Sequence, residues 1–136
     1  MTQLLTLAFT GHPRIALFWK LTLTLLVTLI TWLALTSAPP QVPIAQWDKL
    51  HHALGFTALA TAARFGFRGA WLRIGVWLLV FGALIEWLQS LTPNRAAEWG
   101  DLLADAVGIA IGLTVATLLN RAAATRIADL PSSHTR

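Results

Sequence analysis

Ionisable side chains stand at helical spacing inside an otherwise apolar chain. Asp48 and His52 lie four residues apart, and so do Asp101 and Asp105. Residues four apart on an α-helix share one face, so each pair points in a single direction. An imidazole beside carboxyl groups can act as a general base, with a carboxyl as the acid. The candidate catalytic residues are therefore His52, Asp105 and Glu86.

A second layer of polar residues follows the same helical faces. Lys49 and Arg95 are the basic members, and Arg in particular pairs with phosphate through two hydrogen bonds. Gln89 lies three residues after Glu86 and shares its face. The candidate ligand-binding residues of this layer are Asp48, Lys49, Gln89, Arg95 and Asp101.

A metal centre is a less favoured version of the same site. His52, Glu86 and Asp105 with His51 would form a ligand set suited to zinc or manganese. Adjacent residues on a helix point about 100° apart, however, so His51 turns away from His52. We expect no metal from the sequence, and it identifies no cofactor.

Composition decides the environment of these residues. Apolar residues make up 56% of the 136-residue chain and charged residues only 12%, whereas a soluble domain is about 25% charged. The chain has no cysteine, which excludes disulfides, thiolate metal sites and cysteine catalysis. Its basic residues flank apolar runs instead of forming a patch, so no nucleic-acid partner is expected. The composition predicts an integral membrane protein.

The hydropathy pattern predicts an all-α protein with four transmembrane helices. Residues 21–47 carry no charge, and about 20 apolar residues suffice to cross a bilayer. Pro39, Pro40 and Pro43 end this first helix. The predicted spans are 15–36, 49–65, 71–91 and 101–120, which form one domain of residues 1–120. Residues 121–136 are predicted to be a flexible cytoplasmic tail.

Charge asymmetry predicts that both termini are cytoplasmic. Four spans would place eight basic residues on one side against Asp129, a net charge of +7. The other side would carry Lys49 and Arg95 against five acidic residues, a net charge of −3. Cytoplasmic loops are enriched in Lys and Arg, so the acidic residues would form an outward-opening polar pocket.

The sequence also contains an internal repeat, which appears when it is aligned with itself at an offset of 53 residues. Fourteen of the 51 positions in 20–70 are identical to their counterparts in 73–123, against roughly five by chance. We interpret this as two helical hairpins repeated in parallel orientation. Gly55 aligns with Gly108, and Gly108 and Gly112 form a small-xxx-small motif, so these glycines are predicted to pack helices together.

The same residues resemble the VanZ-like membrane family. The resemblance rests on Asp48-Lys49-x-x-His52 with Phe56, Ile85-Glu86-x-x-Gln89, Arg95, Asp101-x-x-x-Asp105 and Gly108-x-x-x-Gly112. It implies a multi-pass protein of the bacterial cytoplasmic membrane, in a family whose name comes from low-level teicoplanin resistance. Phe56 stands where the family often has Tyr, and Asp105 where it often has Asn.

Three classes of function follow. In the first, the outer pocket binds a membrane lipid, a lipid-linked cell-envelope precursor or a lipoglycopeptide. In the second, His52, Glu86 and Asp105 hydrolyse or transfer a group on a lipid head group, with water as the nucleophile. In the third, small residues pack against another subunit, which leaves a homo-oligomer open. The first is the preferred expectation, and the sequence does not decide whether the chain is an enzyme.

Overall fold

The structure, a computed structural model, describes residues 13–36, 47–67, 69–92 and 98–128. This part of the chain contains four helices: α1 (Pro13–Ala34), α2 (Trp47–Gly66), α3 (Trp71–Ser90) and α4 (Trp99–Ala128). The predicted all-α class is confirmed. Pro13 suits the first turn of α1, where its missing N–H has no helical partner to lose.

Three of the four helices are long and apolar enough to cross a membrane: α1, α3 and residues 99–125 of α4. Large apolar side chains cover their outer surfaces. Leu25 of α1 is 67% exposed and Trp77 of α3 is 68% exposed. Apolar surface on this scale is unfavourable in water, so these helices indicate a membrane protein.

The remaining helix, α2, is the centre of the bundle. It packs most extensively against α4, next against α1, and also touches α3. Phe56, Leu59 and Ala60 on α2 are almost fully buried. Because neighbouring helices surround α2, it can carry small and polar residues that a lipid-facing helix would not tolerate.

Helices α2 and α4 run parallel and approach closely at two glycines. Gly108 lies against the backbone carbonyl of Ala53, and Gly112 lies against that of Thr57. A Cβ atom at either glycine would collide with α2. The Thr57 hydroxyl lies 2.7 Å from the Ala53 carbonyl oxygen and 3.1 Å from that of Gly108, which ties the two helices together.

The other neighbouring helices run antiparallel. In the α1–α2 hairpin Gly55 meets Ile30, while Gly66 meets Lys20. In the α3–α4 hairpin Gly75 packs on Ile109. The C-terminal ends of α1 and α3 and the N-terminal ends of α2 and α4 therefore lie together, at what we call the cluster end of the bundle.

The end of α4 differs from the sequence prediction. A flexible tail was expected from residue 121, but α4 continues as a helix to Ala128. The segment 122–124 is a run of three alanines, which have the highest intrinsic helix propensity and sustain the helix beyond the apolar span. The rest of the predicted tail, 129–136, lies outside the described residues.

Candidate functional site

Ionisable residues from three helices meet at the cluster end. Helices α2 and α4 contribute their first turns, and α3 contributes its last turns, so the antiparallel hairpins bring these segments to one level. We call this group the His52 cluster. Its members are Asp48, Lys49, His52, Glu86, Glu98, Asp101 and Asp105.

The shortest polar contact in the His52 cluster joins His52 to Asp105. His52 Nδ1 lies 2.8 Å from Asp105 Oδ1, and Asp105 is completely buried. With Asp105 as a carboxylate, which only accepts hydrogen bonds, the Nδ1–H of His52 is the donor in this contact. This contact leaves Nε2 as the ring nitrogen directed toward the rest of the cluster.

Two further carboxylates face His52 Nε2. Glu86 Oε1 and Asp101 Oδ2 each lie 3.9 Å from it, too far for a hydrogen bond. Glu86 Oε2 accepts a hydrogen bond of 3.0 Å from the backbone N–H of Glu98. Glu86 Oε1 has no hydrogen-bond partner among the described residues, although Glu86 is only 7% exposed.

Lys49 lies in the outer layer of the cluster and contacts several carboxylates. Its Nζ lies 2.9 Å from Glu98 Oε2, 3.3 Å from Asp48 Oδ2 and 3.5 Å from Asp101 Oδ1. The ammonium group of Lys49 is thus already committed to neighbouring carboxylates.

The floor of the cluster is apolar and tightly packed. Asp105 Oδ2 faces Gly82 on α3, where a Cβ atom would lie 2.5 Å from this oxygen and 3.3 Å from the Phe56 ring. Phe56 in turn packs on Phe81, with ring centroids 5.9 Å apart. Asp105 Oδ2 makes no hydrogen bond within the described segments. The buried carboxylate therefore depends on His52 for its polar contact.

Two of the predicted ligand-binding residues, Gln89 and Arg95, are not among the described members of the His52 cluster. Gln89 donates a hydrogen bond of 3.2 Å from Nε2 to the carbonyl oxygen of Ala34, which ties α3 to the end of α1. Arg95 lies outside the described residues. The packing glycines predicted from the sequence lie at helix contacts: Gly108 and Gly112 against α2, and Gly55 against α1.

Sequence reasoning did not include Glu98 among the site residues. Glu98 precedes α4 and holds Glu86 through its backbone N–H and Lys49 through its side chain. Its position three residues before Asp101 was the available signal, since residues at this spacing share a face at the start of a helix.

The His52 cluster carries an excess of negative charge. It contains five carboxyl groups, one lysine and one histidine. Such an excess in a poorly hydrated place is stabilised by protons or by a bound cation. Comparison with protein-family models, curated proteins and solved structures finds no match for this chain.

Proposed function

We propose that the chain is a VanZ-like, four-span protein of the bacterial cytoplasmic membrane, with its His52 cluster on the extracytoplasmic side. The distribution of charge supports this orientation. The end opposite the cluster carries the described basic residues other than Lys49, which are Arg14, Lys20, Arg64, Arg73, Arg121 and Arg126. Under the positive-inside rule that end faces the cytoplasm.

The proposal includes α2 as a spanning helix. With 20 residues it is as long as α3, and at 1.5 Å per residue each would cover about 30 Å of bilayer. Its contacts with α1 extend from Ile30 against Gly55 to Lys20 against Gly66. Contact along most of its length supports an α2 that crosses the membrane together with α1.

The repeat of the two hairpins is also part of the proposal. Contacts between α2 and α4 join residues about 53 apart, the offset at which the sequence aligns with itself. His52 and Asp105 are aligned counterparts and touch each other. A pseudo-two-fold axis between α2 and α4, along the membrane normal, would bring counterparts together in this way.

The function that we propose is binding of a polar head group at the His52 cluster. The single observation that carries it is that the buried Glu86 Oε1, beside His52 Nε2, has no hydrogen-bond partner among the described residues. An ionisable group in a membrane protein is costly, and it is retained where it has a partner or a role. The candidate ligands are a lipid-linked envelope precursor or a lipoglycopeptide, with glycopeptide resistance as the cellular effect.

The net negative charge of the His52 cluster limits the kinds of head group that would bind there. Lys49 is already paired with carboxylates, and the cluster has more negative than positive groups. A head group that presents an amine, or that arrives with a bound cation, would complement the described residues. Arg95 would supply the contact to an anionic part of the same head group.

Native mass spectrometry of the protein from its own membranes tests this proposal. We expect a co-purified lipid or glycolipid adduct on the wild type. Glu86→Gln should weaken its retention about tenfold or more, since one hydrogen bond to a charged group contributes about 1.5–3 kcal/mol. Arg121→Gln, a loss of one charge at the opposite end of the bundle, should retain the adduct. Equal retention in wild type and Glu86→Gln, or no adduct on either, would refute head-group binding.

A membrane-embedded hydrolase or transferase is the second candidate. The observation that favours it is the contact of His52 Nδ1 with Asp105, because a carboxylate at one ring nitrogen orients the other as a base. Water would be the nucleophile, and Glu86 would supply the acid. Turnover of the co-purified lipid by the wild type, lost in His52→Gln, would identify this activity.

A further inference from the structure

Three side chains of the His52 cluster direct ligand atoms toward one point. They belong to His52, Glu86 and Asp101, and one ligand atom from each lies within 4.8 Å of the other two. The atoms nearest to His52 Nε2 are Glu86 Oε1 and Asp101 Oδ2. The nitrogen is 3.9 Å from each oxygen. Two atoms bound to one zinc ion by bonds of about 2.0–2.2 Å lie roughly 3 to 4 Å apart. Small side-chain movements would therefore bring all three atoms to one ion.

In each of these three side chains, the polar atom that faces away from the common point contacts another part of the protein. Asp105 Oδ1 lies 2.8 Å from His52 Nδ1, which leaves Nε2 as the ring nitrogen directed at the common point. The backbone N–H of Glu98 fixes Glu86 Oε2. Lys49 lies on the Oδ1 side of Asp101, 3.5 Å away. Metal-bound histidines have this arrangement, with the second ring nitrogen donating to a carboxylate.

Glu86 gives independent support for a ligand at this point. Its side chain is nine-tenths buried, and Oε1 makes no hydrogen bond within the described part of the chain. His52 Nε2 lies 3.9 Å from this oxygen, beyond hydrogen-bond distance, so the ring does not satisfy it. A buried carboxylate oxygen that faces a ring nitrogen and has no hydrogen-bond partner among the described residues indicates a ligand between the two atoms.

We propose that His52, Glu86 and Asp101 bind one divalent transition-metal ion, with Asp105 as the outer carboxylate that orients His52. The sequence had favoured no metal, because its ligand set of His52, Glu86 and Asp105 needed His51, which turns away from His52. The structure instead pairs Asp105 with the far side of the ring and brings in Asp101. A nitrogen and two oxygens suit Zn²⁺ and leave a coordination position open.

A second acidic group near this site serves as an internal comparison. Asp48, Glu98 and Asp101 also lie close enough to share an ion. Asp48 and Glu98 are about half exposed, however, and Lys49 Nζ already lies among all three. Because Asp101 belongs to both groups, Glu86 and Glu98 are the residues that distinguish them.

Zinc titration of the full chain in detergent, after removal of metal with EDTA, tests the proposal by calorimetry. We expect one Zn²⁺ per chain and no displacement by equimolar Mg²⁺, which prefers oxygen ligands. Glu86→Gln should weaken binding at least about 100-fold, and Asp105→Asn about 10- to 100-fold as an outer-sphere change. Glu98→Gln should weaken binding much less than Glu86→Gln does. The control is Arg121→Gln, a loss of one charge at the opposite end of the bundle, which should bind as the wild type does.

Three results would overturn the metal proposal. The first is no binding by the folded wild type at millimolar Zn²⁺, and the second is an equal loss in Glu98→Gln and Glu86→Gln. The third is a zinc X-ray absorption spectrum of the wild type without an imidazole ligand, a measurement that does not depend on any variant folding. The metal ion and the proposed head group would both lie at Glu86 Oε1, but their binding is measured separately. A protein that keeps its lipid adduct but binds no Zn²⁺ would therefore refute only the metal site.

Discussion

At the scale of single residues, the His52–Asp105 contact determines what the site can do. A fully buried carboxylate with one hydrogen-bonded oxygen is an unfavourable arrangement, and His52 is the group that offsets it. The same contact selects the tautomer of His52, so the proposed base and the proposed metal ligand both depend on Asp105. Phe56 places an apolar ring at the floor of the cluster, next to Gly82 and Asp105 Oδ2.

Asp105→Asn and Asp105→Leu should separate the charge of Asp105 from its hydrogen bond. Asparagine can still accept the hydrogen bond from His52 Nδ1, and it removes one negative charge from an acidic cluster. The metal-free Asp105→Asn variant should therefore melt at the same temperature as the metal-free wild type or higher. Leucine leaves a buried N–H unpaired, which costs about 1–3 kcal/mol. Thermal unfolding in detergent measures both. An equal loss of stability in Asp105→Asn and Asp105→Leu would contradict this expectation, because it would mean that the charge of Asp105, and not its hydrogen bond, stabilises the fold.

At the scale of helices, the close contact of α2 with α4 positions the site. Gly108 and Gly55 are aligned in the sequence repeat, but only Gly108 lies in this contact. Gly108→Ala should lower stability by about 1–3 kcal/mol, because its Cβ would meet the backbone of Ala53, which cannot move aside. Gly55→Ala is the matched change in the first hairpin. Its Cβ would lie 3.3 Å from the flexible end of Ile30, so a smaller effect is expected. Melting temperatures in detergent compare them, and equal losses would contradict the asymmetry.

How far the sequence predicts these elements depends on what surrounds each of them. Apolar runs and helix-ending residues predicted the four helices, with ends within a few residues for α1, α2 and α3. The predicted end of α4 was wrong because three alanines continue the helix beyond the apolar run from which the end was predicted. Hydropathy is least informative for α2, because helices instead of lipid surround it. Helical spacing assigns residues to a face but not to a partner, so it did not show that Asp101, and not Asp105, lies with Glu86 on the Nε2 side of His52.

At the scale of the whole molecule, the account rests on which side of the membrane each helix end occupies. Basic residues lie at one end of the bundle and the His52 cluster at the other, so a four-span chain with cytoplasmic termini would present the cluster outward. If α2 did not cross, residues 36 and 70 would lie on the same side. The chain contains no cysteine, so a single introduced cysteine reports its own location.

Labelling of Thr36→Cys, Ala70→Cys and Leu91→Cys with a membrane-impermeant maleimide in intact spheroplasts is the most direct test of the account. Thr36 and Leu91 follow the ends of α1 and α3, and Ala70 precedes α3. The account predicts that positions 36 and 91 react from outside and that position 70 reacts only after the membrane is permeabilised. Reaction of position 70 in intact spheroplasts, or protection of position 91, would contradict an outward-facing His52 cluster.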